Sequence, residues 1–180
     1  CIRDRYGSLR VYMLPFIKPA VVRRCCPEEG IETFEDAVRW ALEHMAEHKK
    51  GEDGRNILIA HQFVTGASCC DSEELPIGGL DQVSAELFDS FDYVAMGHIH
   101  GPQKVGRDTL RYSGTPLKYS FSEVNHRKSV TVVELLEKGN VTVNPRPLRP
   151  LHDMRELRGS YEELTSRDFY QGTAVDDYLP

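Results

Sequence analysis

No apolar run in this sequence approaches the roughly 20 residues a membrane-crossing helix needs, and no leader of the secretory type opens it. Positive charge is in short supply, since the net charge is −6. That argues against binding nucleic acid through bulk positive charge. It leaves open a nucleic-acid enzyme whose metals neutralise phosphate locally. The five cysteines, Cys1, Cys25, Cys26, Cys69 and Cys70, form no C-x-x-C. Adjacent pairs suit neither zinc nor a disulfide, so reduced thiols in a cytoplasmic protein are expected. Also missing are the G-x-S-x-G nucleophile elbow, the P-loop and the G-x-G-x-x-G fingerprint. Ser-His-Asp catalysis has no support. There is no internal repeat and no low-complexity segment.

What is present suits one soluble domain with a real core: 180 residues, 40% hydrophobic and 28% charged. Residues 9–17 read as a strand that Pro15 ends, and Arg23–Pro27 as a loop. Thr33 with Asp36 predicts a helix start, and Phe34, Val38, Ala41, Leu42 and Met45 keep the helical period to about Lys50. The continuous apolar run 56–60 reads as a strand buried on both faces. A long mixed segment, 62–82, leads to a short helix at 83–90 and a strand at 92–97. Strands are then expected near 103–107, 110–113, 129–136 and 140–145, the last two joined at Lys138-Gly139-Asn140. Pro145, Pro147 and Pro150 read as a boundary, with a helix near 160–166 beyond it. An α/β part first and consecutive strands later predict a layered α/β domain with a mixed sheet or sheet pair, and neither a TIM barrel nor a doubly wound parallel sheet.

The most informative segment is Gly97-His98-Ile99-His100, after the apolar run Tyr93-Val94-Ala95-Met96. Side chains alternate along a strand, so His98 and His100 share a side if the extended geometry continues. Gly97 would supply a backbone conformation closed to other residues. His61 ends the run 56–60. Alone it would be an ordinary structural or exposed histidine, but three imidazoles at strand ends suit Zn, Mn or Fe. His44-Met45-Ala46-Glu47-His48 matches a zinc-peptidase pattern. Both histidines, however, flank the apolar stripe of the expected helix, and a surface role is the better reading. His126 and His152 sit in polar or proline-rich surroundings and read as solvated.

Ala60-His61 and Gly97-His98-Ile99-His100 together resemble the calcineurin-like metallophosphoesterases. The segments Tyr112-Ser113-Gly114-Thr115-Pro116-Leu117-Lys118-Tyr119-Ser120-Phe121-Ser122-Glu123 and Lys128–Leu135 sharpen the likeness, as do Leu14–Pro19 and Asp81–Ser84 upstream. They resemble, within that superfamily, bacterial DNA-nuclease subunits partnered by an SMC-family ATPase. The resemblance implies an α/β (α+β) fold, the four-layer α-β-β-α sandwich, here incomplete at the N-terminus. It implies two Mn²⁺ ions at strand ends (Mg²⁺ or another divalent metal being the alternative). His61 and His98 would ligate one and His100 the other, with Ser113, Gly114 and Lys118 near the substrate and no catalytic acid or base from this chain. The partners it implies are DNA, the ATPase subunit and a second copy in the full-length protein, with no membrane. Lys104, Arg107, Arg111, Lys118, Arg127 and Lys128 supply local positive charge.

The family's Asp-x-His, Gly-Asp-x-x-Asp and Gly-Asn-His-Asp motifs do not occur. The chain, which begins with Cys, is therefore expected to be a piece. Residues 1–150 would form the C-terminal part of a nuclease domain and 151–180 the start of a capping domain. Such a piece should bind metal weakly and hydrolyse DNA poorly or not at all. Two alternatives stay open: a metallophosphoesterase for a non-DNA phosphoester, and a non-catalytic binding domain.

Overall fold

The computed structural model describes residues 2–47, 54–71, 73, 81–172 and 176–178. In chain order the strands are β1 (Ile2–Asp4), β2 (Gly7–Leu14), β3 (Gly54–His61), β4 (Phe63–Val64), β5 (Gln82–Val83), β6 (Tyr93–Gly97), β7 (Gln103–Val105), β8 (Arg107–Tyr112), β9 (Ser129–Leu135) and β10 (Val141–Pro147). The helices are α1 (Pro19–Cys25), α2 (Phe34–Glu47), α3 (Tyr161–Thr165) and α4 (Arg167–Tyr170). Six strands form one mixed sheet in the order β1-β2-β3-β6-β8-β7. Its four central strands are parallel, and an antiparallel strand closes each edge. β9 and β10 form a separate antiparallel hairpin, turning at Lys138-Gly139-Asn140 as expected. A small parallel pair, β4 and β5, lies outside the main sheet.

The parallel register puts side chains in rows across the strands. Tyr12, Leu58, Val94 and Leu110 form one inner row, and Leu14, Ala60, Met96 and Tyr112 the next. Val38 and Leu42 of α2 join these rows in the core. Each fully buried apolar side chain of this size contributes about 1.5–3 kcal/mol. The opposite face carries Met13, Ile59 and Ala95 in one row. Among the described residues it is open: Met13 is 73% exposed and Ile59 46%. The expectation that 56–60 is buried on both faces is therefore corrected. A continuous apolar run cannot say whether a second layer is present, and only one face here is covered.

Local chemistry explains the helices. At α2, Thr33 Oγ1 accepts from Asp36 N at 3.0 Å, and Asp36 Oδ2 accepts from Thr33 N at 2.8 Å. This reciprocal cap satisfies amides that the first turn leaves open. Ser160 and Glu163 make the same box at α3. Of the segment expected as a loop at 23–27, Arg23–Cys25 form the end of α1, whose first turn Pro19 presets, and Pro27 opens a 3-10 turn. Val22 packs there with Ile31 and Ala37 in a small second core. Residues 83–90 hold β5 and a 3-10 turn at Ala85–Phe88 in place of an α-helix. Pro145 lies inside β10, and Pro147 is its last residue. β10 has only one partner strand among the described residues, and proline is tolerated on such an edge.

Buried polar side chains tie the hairpin to the sheet. Arg55, 1% exposed, donates from Nη1 to the carbonyls of Leu135 and Leu136 at 2.9 and 3.0 Å, and pairs through Nη2 with Asp4 at 2.6 Å. Asp92 Oδ1 accepts from Gly139 N at 3.0 Å, so the β9–β10 turn is pinned below β3 and β6. Residues 72 and 74–80 of the segment between β4 and β5 lie outside the described residues, as does the expected helix end at 48–50.

Candidate metal centre

β3 and β6 are parallel neighbours, and their registered ends are His61 and Gly97. The two residues share one row, so the His61 ring lies across the place where a side chain at 97 would stand. A Cβ added to Gly97 would sit 2.7 Å from His61 Nδ1. Gly97 is thus needed for space, and the unusual backbone belongs to its neighbour. His98 has φ of 109°, a left-handed conformation rare for a residue with a side chain. The extended geometry does not continue past Gly97, which corrects the alternation argument for His98 and His100.

The left-handed step turns His98 towards His61, with ring centroids 5.3 Å apart and planes at 89°. Phe16, just beyond β2, stacks on His98 at 5.9 Å with planes 3° apart. Phe63 closes the other side at 6.0 Å. Burial, then the neighbouring His61, holds the His98 imidazole below its ordinary pKa. The neutral ring that results is the form that binds metals. Backbone strain of this kind persists where the surroundings over-determine it, and it gathers at functional sites.

Ile99 points into the core at 3% exposed, and His100 enters a different environment. Its Nδ1 lies 2.9 Å from Glu123 Oε1, its amide donates to Glu73 Oε1, and its carbonyl accepts from Thr115 N and Lys128 Nζ. Glu123 is fully buried, and its second oxygen pairs with Lys128 Nζ at 2.5 Å. Gly114 packs onto the same carbonyl. With φ of 73°, it would place a Cβ 2.6 Å from His100 O. Ser113 is exposed at the end of β8, on a groove shared with His61, Gly97 and Met13. The Lys118 ammonium reaches Asp153 at 3.0 Å and the Met154 carbonyl at 3.1 Å, tying the 153–154 segment to this loop.

Tyr112 holds the turn after His61. Its buried hydroxyl donates to the Gln62 carbonyl at 2.7 Å and accepts from Val64 N at 2.8 Å. Burial pushes its ionisation far above the usual range. His44 is half-buried, with Nδ1 3.0 Å from the Trp40 carbonyl, while His48 lies outside the described residues. His126 is half-buried, 3.4 Å from Lys128 Nζ, which corrects the solvated reading; His152 is exposed. Lys104, Arg107, Arg111, Lys118 and Lys128 each have an acidic partner within 4.0 Å, so their charge is locally offset. Cys25, Cys26, Cys69 and Cys70 are free thiols.

Among the described residues, no group of three His, Cys, Asp or Glu side chains is arranged to hold a metal ion. Two imidazoles meeting at 5.3 Å, one kept neutral by burial, fit the nitrogen half of a transition-metal site. Sequence reasoning missed Phe16, Phe63, Glu73 and Glu123. Only distant segments bring them here, and no local spacing marks them.

A mixed sheet whose parallel strands offer imidazoles from their carboxyl ends is consistent with a partial metallophosphoesterase fold. No family model matches the sequence. Against curated proteins, the chain is 34% identical over 159 residues to SbcD, the nuclease component of SbcCD, from Staphylococcus epidermidis. The alignment takes in 88% of this chain and 42% of that relative. By this similarity the chain is SbcD-like, and it spans less than half the length of the relative it matches.

Proposed function

We propose that this chain is part of the nuclease subunit of an SbcCD-type complex, a metal-dependent hydrolase cleaving DNA phosphodiesters as exonuclease and endonuclease. On this reading it serves DNA repair, recombination or replication in the cytoplasm, with an SbcC-like SMC-family ATPase as partner and a second copy in the full-length protein. The observation that carries it is the meeting of His61 and His98 at adjoining strand ends in an SbcD-like chain. His61 and His98 would hold one divalent metal, Mn²⁺ by choice of family, and His100 a second. Among the described residues, no group of three His, Cys, Asp or Glu side chains completes such a site. When bound, such metals polarise a phosphoryl oxygen and make water acidic enough to attack at neutral pH.

The chain's own residues do the remaining work. Phe16, stacked on His98, and Phe63, tilted against it, restrict the plane of its ring. Gly97 gives His61 room beside the strand end. Ser113 and Gly114 would line the approach of a phosphodiester, with Lys118 one loop further out. The test is hydrolysis of linear duplex DNA by the full-length protein with Mn²⁺. Activity lost with His98→Ala supports the reading. Cleavage of bis-p-nitrophenyl phosphate with DNA left intact would favour a phosphoesterase of another substrate class.

A further inference from the structure

We infer that Glu123 is a positioning residue for His100, fixing its ring as the Nδ1–H tautomer so that the lone pair is carried by Nε2. The inference rests on the proposed function for its metal and on the following geometry for everything else.

Glu123 has no exposed surface, yet each of its oxygens has its own partner: His100 Nδ1 at 2.9 Å on Oε1 and Lys128 Nζ at 2.5 Å on Oε2. A carboxylate paired with an ammonium only accepts hydrogen bonds, so the ring nitrogen facing it must donate. An imidazole that donates from Nδ1 has its lone pair on Nε2 when neutral. Lys128 Nζ donates to Glu123, to Thr115 Oγ1 at 2.8 Å and to His100 O at 3.0 Å, with His126 Nδ1 further off at 3.4 Å. The same cation therefore anchors both the carboxylate and the backbone of the residue that the carboxylate orients. The His100 amide is fixed in turn by Glu73 Oε1. Burying such charges costs more than packing apolar side chains of the same size. Carboxylate-to-histidine contacts that set the tautomer and direction of a ligating ring are a general device of metal sites. Glu123 lies 23 positions from His100 in sequence, so no motif around the histidine announces it.

A merely structural ion pair would also pin the 113–128 loop, so the deciding measurement is the tautomer. Long-range ¹H–¹⁵N correlation spectra of the ¹⁵N-histidine-labelled full chain should show His100 as one Nδ1–H species. Glu123→Gln, whose amide can donate or accept, should give a mixture or the Nε2–H form, and Glu123→Asp should restore part of the original signal. In an Mn²⁺ titration read by paramagnetic broadening, the Gln variant should need about 10–100-fold more metal at His100. A wild-type ring found as Nε2–H overturns the inference with no variant needed, should the Gln protein fail to fold. An unchanged tautomer in Glu123→Gln also overturns it, while Mn²⁺ broadening of His61 and His98 would leave the metal centre standing. Mn²⁺ that broadens none of the three rings overturns the metal centre itself, and the tautomer result is then read separately.

Discussion

His98 and His100 stand on either side of the buried Ile99, and the chain holds them by different means. The His61–His98 corner is built from ring faces, a missing side chain at Gly97 and one strained backbone step. The surroundings of His100 are built from charges: Glu123, Lys128 and Glu73 around one residue. Packing tolerates small movement but no added volume. A buried charge network tolerates neither the loss of a partner nor partial satisfaction. Two ligand candidates two residues apart should therefore fail in different ways.

The largest effect should come from the charged side. Lys128→Met leaves Glu123 buried without its counter-ion, and denaturant unfolding should show a loss of about 3–5 kcal/mol; a loss below about 1 kcal/mol would mean the network is wet and the contrast false. Next is Gly97→Ala on the packed side. Its Cβ meets the His61 ring at 2.7 Å, so a loss of about 1–3 kcal/mol is expected. The His61 ring signals should shift while those of His100 stay in place. Tyr112→Phe strands the Gln62 carbonyl and Val64 amide, costing about 1–3 kcal/mol and loosening the turn after His61. His98→Gly relieves the left-handed step, so it should lose less stability in denaturant unfolding than removal of three ring contacts alone would cost, while emptying the corner of one imidazole.

The smallest effect is a pH reference remote from both regions. The Thr33 amide, first, holds the Asp36 carboxyl below its ordinary value. A depressed carboxylate stabilises fully above its unfolded value, near about 3.9, and that contribution fades as pH falls through the lower folded value. Asp36→Asn should remove this slope below about pH 4 and leave the neutral-pH behaviour of the histidines unchanged.

The legible parts of this molecule are those written locally. Thr33 and Asp36 are three residues apart and cap α2 as read; Lys138-Gly139-Asn140 turns the β9–β10 hairpin. The strand-end positions of His61 and His98 follow from the apolar runs before them. Alternation fails for His98, since it assumes a strand that has already stopped. Gly97 stands out in the sequence for its backbone freedom, yet what matters is a ring arriving from β3, and pairing between strands is not written in either segment. Glu123 and Lys128 look like two more charges in a polar stretch. Their burial depends on the loop folding under the end of β6. The open face bearing Met13 and Ile59 was equally hidden, because apolar composition does not report what lies opposite.

Pro145 and Pro147 have a consequence for how copies of this protein meet. A strand at the rim of a sheet normally offers a row of amide donors to any extended segment that drifts past. On β10 two of those donors are missing within three residues. A neighbouring molecule trying to zip onto that rim would find its ladder interrupted after each rung or two, so crowding should favour separate particles over fibrous growth along this side.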